Sequence, residues 1–299
     1  MPAASPRQPP KLRTFHHDAF PPERIASERS ASVSVCLPAR ECASTVDAIV
    51  TALLELGAQG VLDEVVVVDA ASVDGTAEVA RRAGARVLQE AELQPGCGPV
   101  LGKGDAMWRA LGALEGELVA FLDADTEGFQ PHFATGLLGP LVCESEVAFV
   151  KGFYRRPLEA LGEPPGEGGG RVNHLMARPA LSLFYPELEA VRQPLAGEVA
   201  ARRELLAELP FATGYGVETA MLIDVWRAVG LAGMAQVDLE EHRNAHQPLS
   251  ALAPMARTVL ATIALRLERD GRLAAGGGFA PGGEAPVERP PLRSLAEAA

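Results

Sequence analysis

Three apolar runs in the first half of the chain constrain its fold more than any other feature: Ser32-Val33-Ser34-Val35-Cys36-Leu37, Glu64-Val65-Val66-Val67-Val68 and Leu118-Val119-Ala120-Phe121-Leu122. Each has the length of a buried strand and stops at a proline or a polar residue. The first ends at Pro38-Ala39-Arg40 and is followed by a helical pattern over 44–56. The second ends at Asp69 and leads through Asp74-Gly75-Thr76 into a helix over 76–83, after which 85–88 makes a further short strand. Strands that alternate with helices must pair in parallel through right-handed crossovers, so the expected fold class is α/β, with a Rossmann-like, mainly parallel sheet flanked by helices. No Gly-x-Gly-x-x-Gly follows the first strand, which argues against NAD.

The third run delivers chemistry to the edge of that sheet. It ends in Asp123-Ala124-Asp125, two carboxylates one residue apart. Open α/β sheets bind ligands at the carboxyl ends of their strands, and hard oxygen ligands there suit Mg²⁺ or Mn²⁺ clamped to a diphosphate. This is the DxD arrangement of nucleotide-sugar glycosyltransferases. By itself the motif is weak, since most short Asp-x-Asp runs are solvated turn residues.

Charge and cysteine usage remove other classes of function. A formal net charge of −12 leaves no basic face for nucleic acid. No apolar run reaches the ~18 residues of a membrane span and no signal-peptide core precedes the first strand, so a cytoplasmic enzyme without a membrane is expected. Cys36, Cys42, Cys97 and Cys143 lack CxxC spacing and read as reduced thiols rather than disulfides or zinc ligands.

An anionic substrate then needs a local basic pocket. Lysine occurs only at Lys11, Lys103 and Lys151. Lys103 lies in Gly98-Pro99-Val100-Leu101-Gly102-Lys103-Gly104, where glycines permit close backbone approach to a ligand and a helix N-terminus follows. Lys151, just after an apolar strand, suits the same cleft or a structural role. Farther on, 163–170 cannot form regular structure, and a helix begins near Val172. Arg171 with the backbone donors of Gly170, Val172 and Asn173 would cradle a phosphate. Gly214-Tyr215-Gly216-Val217-Glu218 opens another helix, where Tyr215 and Glu218 offer polar groups to a ligand or the glycines reflect tight packing.

Pro38-Ala39-Arg40-Glu41, the Gly98–Gly104 loop, Asp123-Ala124-Asp125, Gly170-Arg171-Val172-Asn173 and the Gly214 to Glu218 segment occur in this order. With them the chain resembles glucosyl-3-phosphoglycerate synthases and their mannosyl-transferring relatives, over about 33–257. The resemblance implies a GT-A fold with a C-terminal acceptor-binding subdomain. It also implies a retaining, metal-dependent hexosyltransferase that takes a nucleoside diphosphate hexose and the 2-hydroxyl of 3-phosphoglycerate. Carried over residue by residue, Pro38, Ala39, Glu41, Ser72, Lys103, Asp123 and Ala124 would bind the nucleotide sugar, with Asp123 on the ribose or nucleotide side. Asp125 and His242 would hold Mg²⁺ or Mn²⁺, His246 being the rival ligand. Gly170, Arg171, Val172, Asn173, Tyr215, Glu218 and Asn244 would bind the acceptor, and Asp125, Lys103 and Glu218 would carry catalysis. Mannose from GDP-mannose is the preferred donor reading, glucose from UDP-glucose or GDP-glucose the alternative.

Retention favours attack from the face of the departing diphosphate, while Glu218 as a general base would favour inversion. Other readings are an inverting GT-A transfer to a lipid phosphate, a sugar nucleotidyltransferase, which should carry a Gly-rich, Arg-containing loop after the first strand, and a non-catalytic sugar-nucleotide sensor. The expected organisation is a flexible segment over 1–30, a nucleotide-sugar half over 31–150, an acceptor half with a C-terminal helix over 151–273, and a disordered tail over 274–299. Leu252, Met255, Val259, Ile263 and Leu267 share one face of that helix, which suits core packing or a homodimer.

Overall fold

The structure is a computed structural model and describes residues 11–156, 170–243, 248–274 and 286–297. The chain opens with strand β1 (Arg13–His16) and helix α1 (Pro22–Glu28). Repeating β–α units follow: β2 (Val33–Ala39) with α2 (Val46–Ala58), β3 (Glu64–Asp69) with α3 (Thr76–Ala83), β4 (Arg86–Gln89) with α4 (Lys103–Leu111), and β5 (Leu118–Phe121) with α5 (His132–Cys143). Then come β6 (Phe149–Arg155), α6 (Arg178–Phe184), β7 (Val199–Arg202), α7 (Arg203–Ala207), β8 (Phe211–Ala212) and α8 (Val217–Val229). The chain closes with β9 (Met234–Glu241), α9 (Leu249–Arg269), β10 (Glu288–Arg289) and α10 (Leu292–Glu297).

The main sheet runs β1-β9-β6-β7-β5-β2-β3-β4, and β8 pairs separately with β10. Every neighbouring pair in the main sheet is parallel except those of β7, which runs antiparallel to both β5 and β6. The apolar runs follow from this burial. Val33, Val35, Leu37, Val66, Val67, Val68, Val119 and Ala120 are fully buried, since helices cover both faces of a parallel sheet. On one face α1, α2, α3 and α5 supply Ile25, Ile49, Leu53, Ala80 and Leu137. On the other, α4, α6, α8 and α9 supply Trp108, Leu181, Leu222, Val259 and Ile263. At roughly 1.5–3 kcal/mol for each large aliphatic side chain removed from water, these two layers dominate the fold's stability.

Parts of both expected flexible ends carry regular structure among the described residues; 1–10, 275–285 and 298–299 lie outside them. Within 1–30, β1 pairs in parallel with β9, and Phe20 and Ile25 are buried to within 1%. Within 274–299, Glu288 and Arg289 pair antiparallel with Ala212 and Phe211, and Arg289 grips the buried Asp105 through two nitrogens, each at 2.7 Å. Trp108 Nε1 donates to Pro290 O at 2.8 Å. Proline-rich composition hides such segments because they borrow partners distant in sequence rather than forming a core of their own. The expected boundary between halves at 150–151 falls inside β6, so the two halves share one sheet.

Helix α9 is the one described helix long and apolar enough, by composition, to span a membrane. Its inner face is built for protein. Val259, Ile263 and Leu267 are buried there, together with Arg266, whose Nη2 donates to Asp224 Oδ2 at 2.6 Å. Met255 and Leu252, one and two turns earlier, line the cleft described next.

Candidate active site

The carboxyl ends of β2 to β5 open into a cleft of about 780 Å³. One wall carries Pro38, Ala39, Arg40 and Ala70 from the strand ends, Lys103 from the start of α4, and Asp123-Ala124-Asp125 from the turn after β5. The opposite wall carries Arg156 beyond β6, Gly170 to Asn173, the turn at Tyr215, and Glu218 in the first turn of α8. Residues expected at the donor and acceptor thus meet in one space.

The turn after β5 is tied down along its length. Thr45 Oγ1 donates to Ala124 O at 2.6 Å, Thr126 Oγ1 to Asp123 O at 3.0 Å, and Glu127 N to Arg243 O at 2.9 Å. The last bond laces the turn to the residue after His242. Asp125 stands at the mouth, where lost hydration and then the neighbouring Asp123 charge push its carboxyl pKa up.

Lys103 Nζ donates to Asp123 Oδ1 at 2.6 Å and lies 3.2 Å from Glu218 Oε1. Burial works against its charge, but Asp123 and then Glu218 outweigh it and hold the ammonium well above the ordinary lysine range. It is therefore cationic at every physiological pH. The pair fits only because residue 197 is glycine, since an added Cβ there would come within 2.5 Å of the Asp123 carboxylate and 2.7 Å of Lys103 Nζ. Gly104 lets the first turn of α4 press on β8, where a Cβ would meet Ala212 O at 1.9 Å.

Behind the mouth, His242 is 1% exposed, with Nε2 at 3.0 Å from Glu198 Oε1 and 3.1 Å from Thr126 Oγ1. Its ring stacks on Tyr154 with centroids 4.4 Å apart. Burial opposes the Glu198 charge, yet His242 and then Tyr154 and Arg156 hold that carboxyl well below the usual range. Asp123, Glu198 and His242 present donor atoms within 4.8 Å of one another, and His242 Nδ1 is buried with no hydrogen-bond partner among the described residues. A carboxylate-rich set with an orphaned imidazole nitrogen fits a divalent cation. Of the expected metal pair, His242 lies in this cluster, and Asp125 stands outside it but close enough for His242 to lower its pKa against the other contributions.

The other pole is basic. Arg156 Nη2 donates to Tyr154 OH at 2.9 Å; burial works against its charge, but Tyr154 and then Glu198 outweigh it and leave the guanidinium raised above its ordinary value. Gly170, at φ 75, turns the chain into helical residues Arg171 and Val172, which run through a π-helical turn (Asn173–Ala177) into α6. Asn173 is 5% exposed and bridges to the 192–195 loop, accepting from Leu195 N at 3.4 Å. Tyr215 is half exposed at the rim.

Some expected residues sit elsewhere. Glu41 and Ser72 do not line the cleft but face each other at its edge, where Glu41 N donates to Ser72 Oγ at 2.9 Å and Glu41 Oε1 accepts from Val73 N at 2.9 Å. Lys151 is buried beneath the 196–197 turn, donating to Ala196 O at 2.7 Å, and burial lowers its pKa to about 8. Asn244 and His246 lie outside the described residues. Arg156, Glu198 and Glu90 were not anticipated. Glu90, 8% exposed at the end of β4, lines the cleft, and burial followed by Asp105 pushes its carboxyl up to about 7.

The family model Glycosyl transferase family 2 matches residues 34–150. A glucosyl-3-phosphoglycerate synthase of Mycolicibacterium smegmatis is 44% identical over 241 residues, covering 81% of this chain and 79% of that protein. Among solved structures, a mannosyl-3-phosphoglycerate synthase from Rubrobacter xylanophilus superposes with TM-score 0.86 at 44% identity, covering 95% of this chain and 96% of the other. A glucosyl-3-phosphoglycerate synthase from Mycobacterium tuberculosis, solved with Mn²⁺, UDP-glucose and phosphoglyceric acid, superposes with TM-score 0.82 at 37% identity over 95% and 99% of the two chains.

Proposed function

This chain belongs to the family of glucosyl- and mannosyl-3-phosphoglycerate synthases, with the GT-A fold, and on that premise we propose that it transfers glucose from UDP-glucose to the 2-hydroxyl of 3-phosphoglycerate, using Mn²⁺ or Mg²⁺. Glucose replaces the mannose preferred from sequence because relatives from M. smegmatis and Petrotoga mobilis, which match most of this chain, bear the glucosyl name. The R. xylanophilus enzyme keeps mannose as the second reading.

One observation carries the proposal: a single cleft joins a carboxylate and lysine pole at Asp123, Asp125 and Lys103 to a basic pole at Arg156 and Arg171. The first pole suits a metal-bound diphosphate, the second a phosphate monoester. Asp125 and His242 would hold the cation, which supplies positive charge to the leaving diphosphate. Glu198, 3.0 Å from His242 Nε2, would fix that imidazole and leave its unpartnered Nδ1 for the cation. Lys103 donates to the diphosphate oxygens, and its release from Asp123 and Glu218 on donor entry leaves Glu218 to accept from an acceptor hydroxyl. Arg171 and the adjoining backbone N–H groups, with Arg156, bind the acceptor phosphate.

Transfer proceeds with retention, the acceptor hydroxyl attacking on the diphosphate side. The test is a donor panel of UDP-glucose, GDP-glucose and GDP-mannose with 3-phosphoglycerate and Mn²⁺ or Mg²⁺, read by mass spectrometry and by NMR of the anomeric proton. α-Glucosyl-3-phosphoglycerate from UDP-glucose is the expected product. Mannosyl product from GDP-mannose alone reverses the donor assignment, and a β-linked product defeats retention.

A further inference from the structure

A turn over 193–197 crosses the cleft between its two poles, and Gln193, Leu195, Ala196 and Gly197 all line it. At the basic end Leu195 N donates to Asn173 Oδ1 at 3.4 Å. At the carboxylate end Gly197 lies so close to Asp123 and Lys103 that a Cβ there would meet the Asp123 oxygens and Lys103 Nζ within 2.7 Å. We propose that Lys151, buried below this turn and outside the cleft, is a positioning residue: it fixes the height of the floor against which the transferred hexose rests, a role that depends on hexosyl transfer being the reaction.

Bonds from two consecutive residues of β6 bracket Gly197. Lys151 Nζ donates to Ala196 O at 2.7 Å, and Gly152 N donates to Glu198 O at 2.9 Å. The second bond runs backbone to backbone and continues the β6–β7 pairing, in which Lys151 stands opposite Val199. The first exists only because residue 151 carries a long donor. Ala196 N closes the turn on Gln193 O at 3.1 Å, and Gln193 Oε1 accepts from Tyr154 N at 3.0 Å. A hexose between a diphosphate at Asp123 and an acceptor phosphate at Arg171 is therefore set against a stretch of backbone whose middle carbonyl Lys151 holds.

Stability alone does not account for lysine here. Lys151 is 2% exposed, and among the described residues its ammonium has Ala196 O as its one hydrogen-bond partner and makes no ion pair. Burial works against its charge, and Glu218 and then Glu198 sustain it from farther away. A buried cation with a single carbonyl partner is a weak stabiliser, and an apolar side chain of similar volume commonly does as well or better for the fold. What the apolar side chain cannot supply is the N–H that draws Ala196 O down.

Lys151→Met in the full chain keeps the unbranched apolar stem and removes the donor. Amide hydrogen exchange of the 193–198 segment, read by mass spectrometry without substrate, should quicken about tenfold as the turn loses its anchor. With Mn²⁺ and whichever nucleotide sugar the parent uses, kcat should fall about tenfold to a hundredfold, since a misplacement of ~1 Å can cost 10²-fold. UDP affinity by calorimetry, KM for 3-phosphoglycerate and melting temperature should stay as in the parent, because the diphosphate and phosphate contacts lie at the two poles and not on the turn. Unchanged exchange at 193–198 overturns the proposal, as does an unchanged kcat. A fall in kcat matched by equal falls in UDP affinity and melting temperature also overturns it, because that is the signature of a residue that only supports the fold. The exchange measurement needs no sugar, and the kinetic comparison is a ratio of variant to parent on one donor. A parent that transfers mannose would therefore reverse the donor assignment and leave this test standing.

Discussion

The two walls of the cleft reach the same space by different routes. The donor wall is set by strand ends side by side in β5, β2 and β3, so Asp123, Pro38 and Ala70 are placed by the sheet register itself. The acceptor wall is assembled from the residue after β6, a helical turn beginning at Gly170, and the first turn of α8, which share no strand register. Rigidity differs accordingly. Asp123 and Ala124 are fixed by several backbone and side-chain bonds, whereas Tyr215 stands half exposed at the rim. On the proposed function, donor geometry is a property of the fold, and acceptor geometry a property of a few side chains placed upon it.

That contrast breaks first at Lys103, where the largest effect is expected. Lys103→Ala should lower kcat by about 10²–10³, the usual cost of removing a charge-stabilising donor from a preorganised site. Asp123 and Glu218 would also lose their shared partner, so melting temperature must be followed beside steady-state kinetics. A change confined to the KM for 3-phosphoglycerate would assign Lys103 to the acceptor wall and dissolve the division.

Arg171→Ala sharpens the comparison from the other side. A charge-assisted contact with a phosphate is worth roughly 1.5–3 kcal/mol, so KM for the acceptor should rise about tenfold to a hundredfold while UDP affinity, measured by calorimetry, stays unchanged. Weakened UDP binding would show that the two walls are not separable.

How much of this was legible in sequence follows the same line. The strand at 118–122, the helix at 76–83 and the DxD turn are contiguous signals, and the structure has them where the apolar runs and turn residues put them. Lys103 was visible because glycines and a helix start frame it. Glu198 was not, since it becomes His242's partner only through β7, whose antiparallel insertion between β6 and β5 depends on residues far apart in the chain. Arg156 and Glu90 are single charged residues at strand ends, with no spacing to mark them. The segment over 286–297 was misread because its proline content resembles a tail, while its order comes from Asp105, Trp108 and Ala212.

That tail supplies the next prediction, because it braces the donor wall from beneath. Asp105 is fully buried, accepts from Leu101 N at 2.9 Å in the loop before Lys103, and is held by both Arg109 and Arg289. Arg289→Ala leaves Arg109 in place, so the loss should be about 2 kcal/mol rather than the larger cost of a wholly unpaired buried charge. Urea unfolding measures it. An unchanged midpoint with normal turnover would mean that the tail covers the donor wall without supporting it.

The smallest effect is expected at Glu90, where the donor wall holds a carboxyl pushed up to about 7 by burial and then by Asp105, with Arg109 and Arg40 opposing. A carboxyl whose pKa is higher in the folded than in the unfolded chain binds a proton more tightly when folded. Its contribution to stability is therefore complete below about pH 4.5 and is lost as pH rises through about 7. At 1.36 kcal/mol per pKa unit the shift corresponds to about 3 kcal/mol, and water in the cleft reduces this to on the order of 1 kcal/mol. Glu90→Gln keeps the shape and removes the titration, so its stability between pH 5 and 8 should fall less steeply than that of the parent in chemical unfolding at fixed ionic strength. Parallel profiles would place the titration elsewhere. A flattened profile in Glu90→Gln, with none in Arg171→Ala, would show that the fixed wall stores a protonation cost which the more open acceptor wall, in contact with solvent, does not.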